Sequence, residues 1–416
     1  MRTYRELFAV AEFRALFIAE CLTMLSAAAG SLALATVTYA ATHDAVLSGL
    51  SMFGGPLIQL ASSWFTASAS DLLRPRQAMI AVAAVGCAAD SLQAIPGLPW
   101  GVRFVILALP WLAISATGGS MMALVSDILP EGGYVFGRST LNIAVGGMQI
   151  AGYGLAGLAL LYLSTSRLFL VAAAASAVAV VVVAKGVGDH PPRADGEESL
   201  VRRSRTVNRE LFASPLVRPL LLAGWVPNGL VVGCESLFVP FGGRSAGYLL
   251  SATAAGMLAG DILVGRVLPA AARTWLIEPL RFLLAAPYVL FLFHPPLPVA
   301  VVLGLAASAG YAASLPLQER ILNNTGAEIR GHVLGVYSTG LTAMQGIAAV
   351  TAGLLAQRLG VGAHGASTAI GILGCVSLAV TLALIPGLRR TRPRPVPEAA
   401  PEAASEAGPV ADLSVS

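Results

Sequence analysis

The sequence predicts an all-α membrane protein whose twelve transmembrane helices form two parallel six-helix bundles. Apolar stretches of about 20 residues, the length that crosses a bilayer as a helix, follow one another almost end to end through the 416 residues. Hydrophobic residues make up 56% of the chain and charged residues only 12%, too little charge for a soluble protein of this size. The two halves of the chain also repeat short motifs at matching places, which indicates a duplicated plan.

The predicted spans are rich in Ala, Gly and Leu, which suits helices that pack closely in lipid. The alternating segments of a membrane β-barrel are not present. A cleavable signal sequence is not expected, because the first apolar run is too long for one. The predicted spans are residues 15–40, 46–69, 78–98, 103–126, 139–163, 167–186, 217–241, 245–265, 279–296, 297–317, 332–357 and 366–387.

The arginines predict the orientation, because basic residues are retained on the cytoplasmic side of a membrane. With both termini inside, 22 of the 26 Lys and Arg residues fall in cytoplasmic segments or at inner helix ends. Arg281 is counted among them, in the loop between spans 8 and 9. The chain is therefore predicted to be a multi-pass protein with cytoplasmic termini. All but one of its basic residues are Arg, a usage typical of GC-rich bacterial genomes, which favours a bacterial plasma membrane. The basic residues that fall outside the cytoplasmic segments are Arg103, Arg167, Arg244 and Arg358.

The net charge of +4 follows from this bias, and it favours contact with anionic lipid headgroups over nucleic acid. The longest polar connection lies between spans 6 and 7. It divides the chain into a first six-helix bundle (1–186), a cytoplasmic central loop (187–216) and a second six-helix bundle (217–388). Residues 389–416 are mostly Pro, Glu, Ala and Ser, so a disordered cytoplasmic tail is predicted there.

The first repeated motif is an acid followed five residues later by arginine. Asp71 and Arg76 stand at the cytoplasmic end of span 2, with Arg74 between them, and Asp261 and Arg266 stand at the same end of span 8. An acid and an arginine beside helix ends can form charge-assisted hydrogen bonds in one conformation and lose them in another. We therefore interpret these residues as a gating motif.

The second repeated motif is a Met-Gln pair followed by glycine. In span 5, Gly157 lies eight residues after Gln149, and in span 11, Gly353 lies eight residues after Gln345. The equivalent placement supports parallel duplicated halves.

On these features the chain resembles the major facilitator superfamily over residues 1–390. The segment Ala67-Ser-Ala-Ser-Asp71-Leu-Leu-Arg74-Pro75-Arg76 is similar to that family's loop motif between spans 2 and 3. It keeps the acid and the last basic residue and lacks the opening Gly, the first Arg and the internal Gly. The resemblance implies the major facilitator fold and transport by alternating access.

A narrower resemblance is to twelve-span drug-efflux members from actinobacteria. It rests on Leu129-Pro130-Glu131-Gly132, on Gly137-Arg138-Ser139, and on Trp225-Val226-Pro227 with Gly233-Cys234-Glu235. This resemblance implies efflux by a proton antiporter and a role in drug resistance. The glycine-rich antiporter motif of span 5 is incomplete, because Tyr153 stands where it has Pro.

Three carboxyl groups are predicted within the membrane and are candidates for proton coupling: Glu20, Asp90 and Glu235. An ionisable residue at that depth usually faces a cavity or a partner, where it can bind and release a proton as access alternates. Glu235 is the leading candidate, on a helix that Pro227 is expected to break. Alternatively, Asp90 pairs with Arg103, and Glu20 hydrogen-bonds a neighbouring helix.

Neutral polar residues at helical spacing mark the predicted substrate cavity. Such a cavity favours an amphipathic or moderately apolar small molecule. Its candidate residues are Asn142, Gln149, Trp225, Asn228, Tyr311 and Gln345.

Motifs for other functions are missing. A nucleotide-binding P-loop needs Gly-Lys-Ser/Thr, whereas the single lysine, Lys185, follows Ala184. The chain contains no His-Glu-x-x-His motif, which disfavours an intramembrane metalloenzyme. No catalytic residue, metal or cofactor is predicted. The predicted partners are a small-molecule substrate, protons and lipids, with the chain as a monomer. A gradient-driven importer, a membrane-embedded enzyme and a transport-dead sensor are the alternatives.

Overall fold

Helices make up nearly all of the described chain, because backbone N–H and C=O groups in hydrocarbon must be hydrogen-bonded within the protein. The computed structural model describes residues 4–66, 74–129, 134–190, 208–209, 211–269, 272, 275–326 and 329–391. No strand occurs in these ranges. The helices are α1 (Tyr4–Ala9), α2 (Ala11–Thr42), α3 (Ala45–Phe53), α4 (Gly55–Thr66), α5 (Pro75–Gln93), α6 (Trp100–Ile128), α7 (Tyr134–Tyr162), α8 (Thr165–Gly186), α9 (Val217–Ser236), α10 (Phe238–Gly242), α11 (Ala246–Ile262), α12 (Ile277–Val289), α13 (Leu297–Ala309), α14 (Ser314–Asn323), α15 (Arg330–Leu359) and α16 (Ala363–Arg390).

Eight helical stretches of the described chain are long and apolar enough to cross a membrane, so the chain is a multi-pass membrane protein. The remaining four predicted spans correspond to α3 with α4, to α5, to α6 and to α12. The span predicted at 46–69 is divided at Gly54 into α3 and α4. The span predicted at 279–296 contains α12, which ends at Val289 and continues as a 3₁₀ turn.

The helices pack into two groups that follow the halves of the chain. In the first, α2 packs against α7 and α8, and α5 packs against α6 and α8. In the second, α9 packs against α15 and α16, and α11 packs against α13. The groups meet along two helix pairs, α7 with α11 and α3 with α15. One apolar cluster includes residues of both groups, and each group also has a cluster of its own.

Two close backbone contacts join the groups at one end of these helix pairs. A Cβ atom on Gly157 would lie 2.9 Å from the carbonyl oxygen of Gly247, and one on Gly353 would lie 2.6 Å from Cα of Val46. Only glycine allows such an approach of helix to helix. A hydrogen bond of 2.8 Å from Ser251 Oγ to the carbonyl of Gly154 adds to the first contact. Gly157 and Gly353 are the glycines that end the repeated Met-Gln motif.

At the other end of α7 and α15 the packing is open. A Cβ atom on Gly146, Gly147 or Gly335 would meet no described atom within 4 Å. Helix α7 therefore approaches the opposite group near its C-terminal end and leaves space beside Gly146 and Gly147, whereas α15 also approaches α4 at Gly346, where a Cβ atom would lie 2.4 Å from Cγ of Leu57.

Helix α9 is the most enclosed element of the fold. In the apolar stretch of Val217–Gly242, 83% of the residues are buried, against 28% to 44% in the seven other spanning candidates. The expectation that Pro227 breaks this helix is wrong, since α9 continues through Pro227 to Ser236. A proline removes one helical hydrogen bond, and close packing on every side can hold the helix together around it.

Arg281 was assigned from sequence to a cytoplasmic loop, and this assignment is wrong. The residue lies inside α12 and is 1% exposed. Most of the central loop, residues 191–207, and most of the predicted disordered tail lie outside the described residues, and α16 extends into that tail as far as Arg390.

We predict that cysteines at positions 154 and 254 form a disulfide under mild oxidation. In the structure a Cβ atom on Gly154 lies 3.2 Å from Cβ of Ala254, close to the separation in natural disulfides. The double variant is made in a chain whose four native cysteines are replaced, and cross-linking is followed by proteolysis and gel mobility. The matched control is the pair Gly146→Cys and Met257→Cys on the same two helices. It should cross-link far more slowly, and equal rates would contradict the divergence of α7 from α11.

Candidate functional site

A cavity of about 230 Å³ lies between the two helix groups. Residues of α3 and α7 form one wall, and residues of α9, α11, α14 and α15 form much of the other. Its position coincides with the space that α7 leaves beside Gly146. The polar residues that line it are Gln149, Tyr153, Glu235, Thr253, Asp261, Tyr311, Ser314 and Gln345.

Glu235 supplies a carboxyl group that is nearly enclosed by the cavity wall. The residue is 7% exposed and stands one position before the end of α9. Its Oε1 atom has no hydrogen-bond partner among the described residues. The hydroxyl groups of Tyr153 and Tyr311 are near enough to interact with it electrostatically. An enclosed carboxyl with an unused oxygen is suited to take up a proton or to accept a hydrogen bond from a ligand.

Three of the six residues predicted from sequence for the cavity line it: Gln149, Tyr311 and Gln345. Asn142 lies on α7, and its side chain is outside the described set. Trp225 and Asn228 are not among the residues that line this cavity, and their role in substrate binding stays a prediction. Both point into the second helix group, where Trp225 Nε1 donates to the carbonyl of Tyr337 at 2.8 Å and Asn228 Oδ1 accepts from Arg281.

Asp90 is held in a hydrogen-bonded cluster in the first helix group, away from the cavity. Its Oδ2 atom accepts from Ser26 Oγ at 2.9 Å, and Ser176 Oγ donates to the same serine at 2.8 Å. The alternative in which Asp90 pairs with Arg103 is wrong. The guanidinium of Arg103 instead donates to carbonyl groups near the end of α5 and to Gln93 Oε1. The last turn of a helix leaves such carbonyls without an internal partner, and they satisfy the arginine where it stands.

Glu20 lies in α2, is partly exposed and is not among the residues that line the cavity. Its alternative assignment, a hydrogen bond to a neighbouring helix, is not seen among the described contacts and stays a prediction.

The predicted gating motif is only partly described. Asp71 and the side chain of Arg266 lie outside the described residues. Arg74 forms an ion pair with Asp189, and Arg76 donates to the carbonyl of Ala184 near the end of α8. Asp261 lines the cavity, which the sequence alone did not indicate.

Two further clusters were missed from sequence. Arg281, Asn228 and Tyr337 converge in the interior of the second helix group. His294 and His364 stack with ring centroids 3.9 Å apart, beside a second cavity of about 460 Å³. No sequence signal could have joined the two histidines, because their contact depends on how α16 packs against the turn after α12.

We predict that a cysteine at position 149 or 345 reacts with a charged methanethiosulfonate reagent at least roughly tenfold faster than one at position 228. Gln149 and Gln345 line the cavity, whereas Asn228 is 1% exposed. The single-cysteine variants Gln149→Cys, Gln345→Cys and Asn228→Cys are compared in the purified protein. Fast labelling at position 228 would contradict this prediction and show that the residue is accessible from the cavity.

No family model matches the sequence, and no curated protein matches it. Three solved structures are similar over most of the chain. A POT family transporter in complex with 5-aminolevulinic acid shares 15% identity over 91% of this chain and 96% of its own, with a TM-score of 0.68. A bacterial homolog of the human lysosomal transporter Spinster, in an inward-facing and unoccupied conformation, shares 12% identity over 95% and 100%, with a TM-score of 0.70. A point mutant of the nucleoside transporter NupG shares 12% identity over 90% and 99%, with a TM-score of 0.67. The chain therefore has a fold similar to that of these three transporters.

Proposed function

We propose that the chain is a secondary active transporter that exports a small organic compound in exchange for protons. The observation that carries the proposal is the cavity between the two helix groups, with the enclosed carboxyl group of Glu235 in its wall. A binding site at the interface of two similar bundles can open to one side and then to the other as the bundles rock. The sequence contains no P-loop motif, and the energy source that we propose is an ion gradient, with the substrate's own gradient as the alternative.

The cavity supports a small-molecule substrate. Its volume of about 230 Å³ and its mixture of neutral polar and apolar walls suit a compact amphipathic compound. Similar solved structures also hold small molecules, since structures of a POT family transporter contain 5-aminolevulinic acid or a thioalcohol-conjugated peptide. The narrower assignment to drug efflux rests on the sequence resemblance of span 7 and on the loop before span 5.

The proposed topology has twelve spans, cytoplasmic termini and a bacterial plasma membrane, with bundles at 1–186 and 217–388 and a monomeric chain among its lipids. In this orientation the contacts at Gly157 and Gly353 lie on the outer side of the membrane. The cavity is then closed to the outside and accessible from the cytoplasm. The similarity to an inward-facing transporter structure agrees with this arrangement.

The gating proposal concerns Asp71, Arg74 and Arg76, with Asp261 and Arg266 as the equivalent in the second half. Arg74 and Arg76 contact the end of α8 in this structure. We propose that Asp71 pairs with arginine across the inner helix ends when the cavity opens outwards, which would stabilise that conformation.

We predict that Asp71→Asn lowers transport by about tenfold while leaving expression near normal, because about 1.4 kcal/mol of selective stabilisation of one conformation changes its population by that factor. Transport and membrane abundance are measured in the same cells. The conservative control Asp71→Glu keeps the charge and should retain most activity. If the Asn variant is as active as the parent, the motif has no role in gating and serves only to set the orientation of the chain in the membrane.

We predict that Glu235→Gln abolishes uphill transport and preserves downhill exchange, because an amide imitates the protonated carboxyl group. The measurement uses proteoliposomes with a pH gradient across the membrane, a radiolabelled substrate found in a susceptibility panel, and a pH-sensitive dye. The parent protein should move protons against substrate, and the Gln variant should exchange substrate without proton movement.

Glu20→Gln is the matched control for this experiment, since Glu20 is a membrane carboxyl that does not line the cavity. Full proton-driven accumulation by the Glu235→Gln variant would remove Glu235 from the mechanism. Accumulation by the parent that is insensitive to a collapsed gradient would remove proton coupling. Substrate movement in the same direction as protons would make the chain an importer.

A further inference from the structure

Arg281 is a buried cation whose hydrogen bonds are incomplete. It lies one turn into α12 and is 1% exposed. Its Nη1 atom donates to Asn228 Oδ1 on α9. Its Nε and Nη2 atoms have no hydrogen-bond partner among the described residues. Burying a charged group without full pairing is costly, so a residue kept in this state is expected to serve a ligand.

The groups around Arg281 leave hydrogen-bond donors unused. Asn228 Oδ1 is occupied by the arginine, and the donor Nδ2 of the same amide has no described partner. The hydroxyl group of Tyr337, 4% exposed on α15, lies beside the guanidinium and beside Gln318 but forms no hydrogen bond of normal geometry with either. A cluster that combines one positive charge with unused N–H and O–H groups is complementary to an anion.

The contacts of Arg281 among the described residues include no carboxylate. The ion pairs of Arg74 with Asp189 and of His190 with Glu12 both lie in the first half of the chain. Glu278, one turn earlier on α12, has an interaction of its own.

Arg103 provides the contrast to Arg281. Every nitrogen of its guanidinium donates to an oxygen at the end of α5 or just beyond it. This buried arginine is therefore saturated by the protein itself, as expected for a structural role, whereas Arg281 keeps two donor nitrogens unused.

Tyr311 connects this cluster to the cavity. It lines the cavity, and its hydroxyl group donates to the carbonyl of Asn228 at 3.4 Å. The same hydroxyl group interacts electrostatically with Arg281. Tyr311 sits in the 3₁₀ turn Gly310–Ala313 that joins α13 to α14. A 3₁₀ turn within a longer helix is a common hinge position, and a small shift there would open the cavity towards Arg281.

We propose that Arg281, Asn228 and Tyr337 bind the carboxylate of the transported compound, so that the substrate class is small organic acids and zwitterions with an apolar body. This inference rests on the proposed transport function. The apolar body would occupy the central cavity, and the carboxylate would pass Tyr311 and accept hydrogen bonds from the guanidinium fork and the Asn228 amide. Glu235, on the other side of Tyr311, would then hold its proton apart from the substrate anion.

The test is thermal unfolding of the purified full-length protein with matched acids and amides. The probes are N-acetyl-L-phenylalanine and its amide, 4-phenylbutyrate and its amide, and sodium chloride and sodium sulfate. At least one acid should raise Tm by about 2 °C or more, and its amide should not. Arg281→Gln should weaken the apparent affinity for that acid about thirty-fold or more, and Arg281→Lys less, because lysine keeps the charge and loses the planar fork.

The Tm of the ligand-free variants distinguishes a binding role of Arg281 from a structural one. Arg281→Gln should leave Tm unchanged or raise it, since it removes a buried charge with incomplete pairing. The matched control Arg103→Gln should lower Tm, because it strands several carbonyl groups, and should keep the full response to the acid.

Four results would overturn the proposal. These are equal shifts by acids and amides, no shift by any acid, an unchanged acid response in Arg281→Gln, and a shift by chloride or sulfate that the organic acids do not displace. The last result would identify an inorganic anion as the occupant. If the acid binds through Arg281 and proteoliposomes under a pH gradient do not move it, the binding site stands and the proposed transport function fails.

Discussion

Two close backbone contacts, Gly157 with Gly247 and Gly353 with Val46, determine how the halves of this molecule sit together. In lipid no hydrophobic force drives helix against helix, so close approach and dispersion have to supply the attraction. Glycine makes that approach available at one end of α7 and of α15. Towards the opposite end of α7 space is left beside Gly146, and the cavity lies there.

The two helix groups differ in how completely their buried polar groups are hydrogen-bonded. In the first, Asp90 and Arg103 are satisfied by hydroxyl and carbonyl groups around them. In the second, the described residues leave unpartnered polar atoms on Asn228, Glu235 and Arg281. Satisfied networks stabilise one arrangement, whereas unsatisfied groups gain from a ligand or a proton. The described groups that could bind a ligand or a proton are therefore concentrated in the second helix group.

The sequence predicted much of the fold, because the apolar length of a span and the distribution of arginine are set by the membrane itself. It also identified Gly157 and Gly353 through their repeated spacing, and it placed Gln149, Tyr311 and Gln345 in the cavity. The partners of these residues could not be predicted, since they depend on packing between halves far apart in sequence. Arg281 was misplaced because a count of basic residues does not distinguish an arginine in a loop from one located one turn inside the following helix. The pairing of Asp90 with Arg103 was suggested because the two residues have opposite charges and are close in sequence. In the structure, backbone carbonyl groups at the helix end bind the arginine instead.

The enclosure of α9 has a consequence for how the chain is made. A helix that touches almost no lipid in the finished protein must still leave the insertion machinery and enter the bilayer before its neighbours α15 and α16 have been synthesised. Its mean hydropathy of 1.4 over the apolar stretch of Val217–Gly242 meets that early requirement, although the mature fold would tolerate a more polar helix. Substitutions that add polarity to α9 are therefore constrained first by membrane insertion. Suppressors of such variants are expected among residues that make the preceding segments better anchors.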